Sequence, residues 1–494
     1  MRQLLTGVLM ACLAGTAAAA PDVIRTETGW LQGQAADDGM PVTRYLGIPF
    51  AAPPTGALRW RAPQPPEPWQ GTRTATEFAP ACAQIGNFFA SDDAATFGQP
   101  YGSEDCLYLN VWVPTSDAGP PRPVLVFVHG GAGIAGSASL PAYDGSRLAH
   151  ELDAVVVSIQ YRLGVLGGLH RPELKTGDPL DDSGAFGLLD QIAALRWLQN
   201  NVAAFGGDPE RVTVMGHSAG AVSLWSLFRS PLATGLFSRA ISLSGIPLSH
   251  DEAALDKRAR RFVDKLTETG HDISDADDLR ALTTAQVLEA GADLKAMGGF
   301  RDGAVLPDAD PDSAAGLLNA VPTLIGNVDN EASMLLVFRY SHLDRQELWH
   351  RFQNHEDARR ADLLSWFANL RFRIASRLFN GLVNRRLDNS AELLRETGVP
   401  VYRYVFAWDD FEPPWRDIFG ACHGLDIPFV FGNFQEQQPH FFRFAWSPRT
   451  LADRELIHRD MAVAIANFIR QADPDPLGDD WPAWDDREQM KRIR

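Results

Sequence analysis

Short apolar runs alternate along the chain with longer stretches whose apolar residues recur at helical spacing. Val124-Leu125-Val126-Phe127-Val128, Ala154 to Ile159, Val212 to Met215 and Ala240 to Leu243 are nearly continuous apolar runs of strand length, as expected for strands covered on both faces of a parallel sheet. Gly187 to Val202 carries Leu188, Leu189, Ile192, Leu195, Trp197 and Leu198 at roughly helical spacing, and Phe205-Gly206-Gly207-Asp208-Pro209 breaks that pattern before the next strand. Strand, helix, strand units with crossover connections predict an α/β fold, a mostly parallel central β-sheet with helices on both faces. Val23 to Gln32 and Leu107 to Val113 read as edge or antiparallel strands flanking a proline-rich passage, Pro49 to Pro68. His250 to about Leu294 reads as charged amphipathic helices. There is no internal repeat, low-complexity linker or Pro/Gly-marked boundary, so residues 20–494 are expected to form one domain.

Composition narrows the function. The 494 residues are 45% hydrophobic and 22% charged, which describes a large folded body and excludes a disordered chain. Forty-five Lys and Arg against 62 Asp and Glu give a net charge of -17; such a surface repels nucleic-acid phosphates and anionic lipid heads. MRQLLTGVLMACLAGTAAAA has one Arg, a short apolar stretch and a run of small residues, the layout of a signal peptide over residues 1–19. That stretch is too short to span a bilayer, and nothing later offers ~20 uninterrupted apolar positions. Leu9-Met10-Ala11-Cys12 faintly resembles a bacterial lipoprotein box, so lipid anchoring at Cys12 is the second reading. No Asn-x-Ser/Thr acceptor is present; the expected destination is the bacterial periplasm or the exterior. There, Cys82 and Cys106 could close a small loop worth ~3 kcal/mol, the alternative being two buried thiols.

The chemistry starts at Gly216-His217-Ser218-Ala219-Gly220. A G-x-S-x-G sequence between a buried strand and a helix is the nucleophile elbow, in which glycines either side of the serine permit a sharp turn that pushes Ser218 above the sheet. The helix beginning there adds free N–H groups and a favourable dipole for negative charge. Upstream, the strand ending at Val128 runs into His129-Gly130-Gly131-Ala132-Gly133. Small residues leave backbone N–H groups uncovered, and Gly131, Ala132 and Ala219 are the expected oxyanion-hole donors. Gly131 to Gly136 also spells G-x-G-x-x-G, which makes a dinucleotide-binding oxidoreductase the rival. It lacks its second half, because the next strand runs into Gln160-Tyr161-Arg162 rather than an acid, and Ser139-Leu140-Pro141 does not continue a helix.

Tyr45-Leu46-Gly47-Ile48-Pro49-Phe50, Ser103-Glu104-Asp105-Cys106-Leu107-Tyr108-Leu109-Asn110-Val111-Trp112, Tyr161-Arg162-Leu163-Gly164-Val165 and Phe205-Gly206-Gly207-Asp208-Pro209 resemble signatures of the type-B carboxylesterase and cholinesterase-like branch of the α/β-hydrolases. The resemblance covers essentially the whole mature chain. It implies that fold, with helical insertions around the active site, a Cys82 to Cys106 disulfide, and the remote members of a triad. In that superfamily the chain order is nucleophile, acid, histidine. Gly420-Ala421-Cys422-His423-Gly424, followed by Leu425 to Gly432, resembles the family's histidine segment, so His423 is the expected base. His342, His350, His355, His440 and His458 read as surface or packing residues. Pro322 to Gly326 looks like a strand ending in the polar loop Asn327 to Ser333, where Glu331 matches the family's acid and Asp329 is the competitor. Ser244, in Leu243-Ser244-Gly245, resembles a family serine that hydrogen-bonds the acid.

Three departures restrict the comparison. Ala132 and Gly133 replace the family's third glycine and following aromatic residue, opening a wall of the acyl pocket to branched or bulky esters. His217 stands where the family usually has glutamate, either as a surface-facing packing residue or as a group tuning the alcohol side. The segment from Cys82 to Cys106 holds Phe88, Phe89, Phe97 and Tyr101 but no Trp, which argues against choline esters. The expectation is an exported serine carboxylesterase that hydrolyses small-molecule carboxylic esters through an acyl-enzyme, with no cofactor or metal. An amidase, lipase or polyester hydrolase would use the same triad, and a binding protein on this scaffold would normally have lost it.

Overall fold

The computed structural model describes residues 22–494 except 38, 117–118, 293, 295–298, 311–312, 355–358, 435–438, 479 and 486–488, and omits the side chains of 360, 361 and 366. The expected signal segment, Cys12 and His355 lie outside the described residues. A ten-stranded mixed sheet forms the centre. Its strands in chain order are β1 Gln34–Ala35, β2 Val42–Pro49, β3 Tyr108–Pro114, β4 Arg122–Val128, β5 Val155–Ile159, β6 Gly207–His217, β7 Arg239–Leu243, β8 Thr323–Val328, β9 Val401–Phe406 and β10 Lys491–Ile493. They lie side by side as β1-β2-β3-β5-β4-β6-β7-β8-β9-β10. Every neighbouring pair from β5 to β10 is parallel. β1, β2 and β3 are joined antiparallel at one side.

The predicted apolar runs are β4 to β7. Val124, Val126 and Val128 of β4 point into one buried cluster while Leu125 and Phe127 point into another, so both faces exclude water and a continuous apolar run is required. Each large side chain buried this way contributes about 1.5–3 kcal/mol. Helices α1 Phe186–Asn201 and α2 Ala219–Arg229 cover the first face, and α5 Leu451–Gln471 supplies Ile457, Met461, Ile465 and Phe468 to the second. Two further helices, α3 Glu331–Tyr340 and α4 Trp366–Arg395, pack against each other beside the ends of β8 and β9. The charged stretch forms helices Glu252–Glu268, Ala276–Ala281 and Thr284–Gly291. In the first of these Leu255, Ala259, Phe262 and Leu266 are buried at the spacing of one helical face.

Val23 to Gln32 departs from expectation in one respect. Strands Val23–Thr26 and Gly29–Gln32 pair antiparallel but stand outside the central sheet, joining Thr72–Thr74 in a separate three-stranded sheet. The signature segments fix the loops around the central sheet. Arg59 and Glu104 form a buried ion pair at 2.6 Å, as do Arg162 and Asp190 at 2.7 Å. Asn110 accepts a 3.0 Å hydrogen bond from the Gly47 N–H, where the backbone has a φ of +66° that favours glycine. Cys82 and Cys106 form a disulfide, and Cys422 is a buried free thiol. Among the described residues, no helix is long and apolar enough to cross a membrane.

Candidate active site

Parallel strands bring their carboxyl ends to one edge, which is where an α/β sheet presents its loops to ligands. Ser218 follows β6 directly and adopts φ +54°, ψ -117° as it hands the chain to α2. A non-glycine residue in such a conformation costs on the order of 1–3 kcal/mol. Its neighbours hold it there: the Ser218 N–H donates to Leu243 O at 2.8 Å and its carbonyl accepts from Val222 N at 2.9 Å. The flanking glycines are required by contact rather than by flexibility. A Cβ on Gly216 would lie 2.4 Å from Gly220 O, and one on Gly220 would lie 2.1 Å from Val128 O.

Glu331 and His423 arrive from chain segments far from Ser218. β8 extends through Val328, past the predicted loop start at Asn327, so only Asp329 and Asn330 separate it from Glu331, the first residue of α3. The His423 segment is pinned alongside by the Asn330 N–H, which donates to Ala421 O at 2.9 Å. Ser218 Oγ donates to His423 Nε2 at 2.9 Å, and His423 Nδ1 donates to Glu331 Oε2 at 2.5 Å. The other carboxylate oxygen, Oε1, accepts from Ser244 Oγ at 2.7 Å and from the Val328 N–H at 3.0 Å. Glu331 is therefore buried with both oxygens engaged. Asp329, the competitor, points away to an exposed ion pair with Arg492 at 3.0 Å.

Gly131 and Ala132 sit just past β4, with φ of +108° and +57°. Ile134 N and Ala135 N both donate to Gly131 O, closing the turn. The N–H groups of Gly131 and Ala132 find no acceptor among the described residues. As the first residue of α2, Ala219 likewise has no helical carbonyl for its N–H. Gln84, which the sequence did not single out, braces this loop from within the disulfide-closed segment: its amide donates to Gly136 O at 2.9 Å and accepts from Gly136 N at 2.8 Å.

Residues 20–493 match the profile of the Carboxylesterase family. The chain belongs to the carboxylesterase family. It is 35% identical over 492 residues to a fumonisin B1 esterase of Sphingopyxis macrogoltabida, covering 95% of this chain and 86% of that one. To the para-nitrobenzyl esterase of Bacillus subtilis it is 30% identical over 501 residues, covering 95% and 94%. A solved carboxylesterase structure from Geobacillus stearothermophilus superimposes with a TM-score of 0.74 at 31% identity, over 95% of this chain and 96% of the other. Family membership makes the protein a carboxylic ester hydrolase of α/β-hydrolase fold.

In this carboxylesterase Ser218, His423, Glu331, Gly131 and Ala132 border one cavity of about 340 Å³. Its walls are mostly apolar, with Phe88 and Phe89 from the disulfide-closed segment and Phe441 beside them, and no tryptophan is among the described residues that line it. Phe88 stacks on Phe338 and Phe441 at centroid separations of 4.8 and 4.9 Å. Burial opposes charge on His423, but the charge of Glu331 and its hydrogen bond, with Asp426 behind, outweigh burial and raise the imidazole pKa above its ordinary value. Asp426 is fully buried, and burial beside Glu331 pushes its own carboxyl up to about 7. It lies inside the quoted histidine segment, yet only its burial and its charge coupling to His423 single it out.

His217 requires a correction. It is not surface-facing: the residue is 8% exposed, borders the cavity, and its ring lies 5.1 Å from the His423 ring. Burial, with His423 and His129 nearby, holds its pKa well below the ordinary histidine value. His440 is buried, packs 6.0 Å from the Trp446 ring and also lines the cavity, its pKa lowered to about 3 by burial and by Arg443 and Arg454. His458 is a buried residue of α5 whose Nδ1 donates to Phe429 O at 2.7 Å. Asp92 joins the cavity wall too, with burial raising its carboxyl to about 6.

Proposed function

We propose that this carboxylesterase works through a Ser218, His423, Glu331 triad and an acyl-enzyme intermediate. The observation that carries this reading is the unbroken run of hydrogen bonds from Ser218 Oγ through both nitrogens of His423 to Glu331, at 2.9 and 2.5 Å. A serine hydroxyl becomes nucleophilic when a neighbouring base takes its proton, and an imidazole serves as that base when a carboxylate fixes its tautomer and stabilises its cation. Ser218 Oγ attacks the ester carbonyl while His423 Nε2 takes the proton. The N–H groups of Gly131, Ala132 and Ala219 hold the oxyanion. His423 then passes the proton to the departing alkoxide, leaving Ser218 acylated. A water molecule, deprotonated by the same imidazole, releases the acid. Ser244 acts only through Glu331, as a positioning residue.

The apolar cavity, with Ala132 in its wall and no side chain at Gly133, supports branched or bulky acyl groups as substrates. The Cys82 to Cys106 disulfide supports export, since such bonds persist in oxidising compartments, and we place residues 20–494 outside the cytoplasm as one catalytic domain. The test is a chain-length series of p-nitrophenyl esters with wild-type protein and Ser218→Ala. The variant should be folded by circular dichroism and lose activity by about 10⁴-fold or more. Retained turnover in a folded Ser218→Ala protein refutes the nucleophile assignment.

A further inference from the structure

Helix α4 is apolar on two sides. Phe372, Leu387, Ala391 and Leu394 are buried along the side that packs on the body of the protein, and one such face is all that folding asks of a surface helix. On the outward side Leu370, Ile374, Leu378 and Leu382 follow one another at four-residue steps, which makes them neighbours in a single ridge. All four are exposed, Leu378 by 70%. The ridge continues into the catalytic cavity: Phe379 of the same helix and Leu335 of α3 are exposed, and both also line that cavity. A contiguous apolar surface left in water marks a contact with something outside the chain.

Charge indicates what that contact is. Residues 366–387 contain five arginines and no Asp or Glu, in a chain whose net charge is -17. Arg373 and Arg377 border a cleft that also holds Asp409 and Asp417. Arg371, Arg385 and Arg386 are exposed and make no ion pair among the described residues. An apolar ridge flanked by unpaired cations complements the acyl chains and anionic heads of a lipid surface. The acidic remainder of the protein does not cancel this attraction at contact, because charges more than about 8 Å from the heads are largely screened at physiological ionic strength. Two copies of the chain facing each other through α4 would set arginine against arginine, with no acid in the segment to meet either. A nucleic acid would leave the apolar ridge bare.

We propose that the outward face of α4 docks the enzyme on anionic lipid surfaces, so that lipid-borne esters pass from the surface beside Leu335 and Phe379 to Ser218. The route to Ser218 rests on the triad reading above; the docking itself does not. Dissolved short-chain esters reach the same cavity without the surface, so docking raises the rate only for esters held in it.

The experiment is co-sedimentation with vesicles of phosphatidylcholine alone and of phosphatidylcholine mixed with phosphatidylglycerol, at low and raised salt. It uses wild-type protein, the double variant Ile374→Ser with Leu378→Ser, and the triple variant Arg371→Gln, Arg385→Gln and Arg386→Gln. Each is also assayed on dissolved p-nitrophenyl acetate and on a long-chain p-nitrophenyl ester carried in the mixed vesicles. Wild-type protein should partition into the mixed vesicles, far less into phosphatidylcholine, and more weakly as salt rises. The triple variant should bind about 100-fold more weakly, at roughly fivefold per charge. The double variant should also detach, and both should keep wild-type kcat/KM on the dissolved acetate while losing rate on the vesicle-borne ester. Wild-type protein that shows no preference for the mixed vesicles overturns the proposal even if neither variant folds. So do folded variants that bind as wild type does, and so does self-association abolished by the double variant without any vesicle binding, which would make the ridge a dimer contact. Failure of the triad reading would look different, as a Ser218→Ala protein that still hydrolyses the dissolved ester whatever its binding to vesicles.

Discussion

His423 and His217 lie 5.1 Å apart, are each 8% exposed and line the same cavity, yet their chemistry is opposite. His423 has a hydrogen bond at each nitrogen and a buried carboxylate that raises its proton affinity against burial. His217 has no hydrogen-bond partner at either nitrogen among the described residues, and burial drives its proton affinity down. Burial disfavours charge on both; one nearby carboxylate reverses the outcome for one of them. The difference comes from where the chain places Glu331. Its Oε1 is occupied by Ser244 and the Val328 N–H, so Oε2 alone is left for His423.

The most severe way to test that contrast is to remove each ring. His423→Ala should lower kcat by about 10⁴-fold or more, whereas His217→Asn, which removes no hydrogen bond of the triad, should cost far less; comparable kcat losses in both variants would erase the distinction. Next in size is the carboxylate. Glu331→Gln should reduce kcat by up to about 10⁴-fold, because the wrong tautomer is then favoured. The pH profile sharpens this. The base must be neutral, so activity falls as pH drops through the His423 pKa, and in wild-type protein that midpoint should lie above the unperturbed ~6.5. Gln at 331 removes the raising charge and leaves burial, so the acid limb of the residual activity should move to lower pH. A limb that stays in place would mean that Glu331 does not set the pKa. The smallest effect is expected for Ser244→Ala. One hydrogen bond to a charged group is lost while the Val328 N–H remains, a penalty near 1.4 kcal/mol or about tenfold in kcat, with a modest shift of the same acid limb.

Much of this arrangement was readable before any coordinates. The elbow is local: strand, G-x-S-x-G and helix lie in consecutive residues, so Ser218 and its flanking glycines could be read from spacing. The apolar runs that became β4 to β7 were legible because both faces of those strands are buried. Glu331 and His423 lie 113 and 205 residues further on by number, and no local pattern links them to Ser218; resemblance to a family supplied them. Other features needed three dimensions. Gln84 braces the oxyanion loop from across the disulfide-closed segment, a contact between residues 52 apart. The burial of His217 depends on Gly130 and Gly424 both yielding space, which a polar residue in a polar-looking motif does not announce. Strands β9 and β10 were not singled out either. Val401 to Phe406 is interrupted by Arg403, whose charge is met inside the core by Asp388 at 2.8 Å and by Asn327, so its run looks less apolar than its position demands.

The central claim is that Ser218 is made nucleophilic by a neutral His423 that Glu331 keeps more basic than an ordinary histidine. Its most direct measurement is the rate of covalent labelling by an organophosphate across pH 5 to 9, with the adduct located by peptide mass mapping. The account predicts a single adduct on Ser218, formed at a rate that rises with pH through a midpoint above ~6.5 and that falls sharply in Glu331→Gln. An adduct on another residue, or labelling of Ser218 at a rate indifferent to pH over that range, would contradict it.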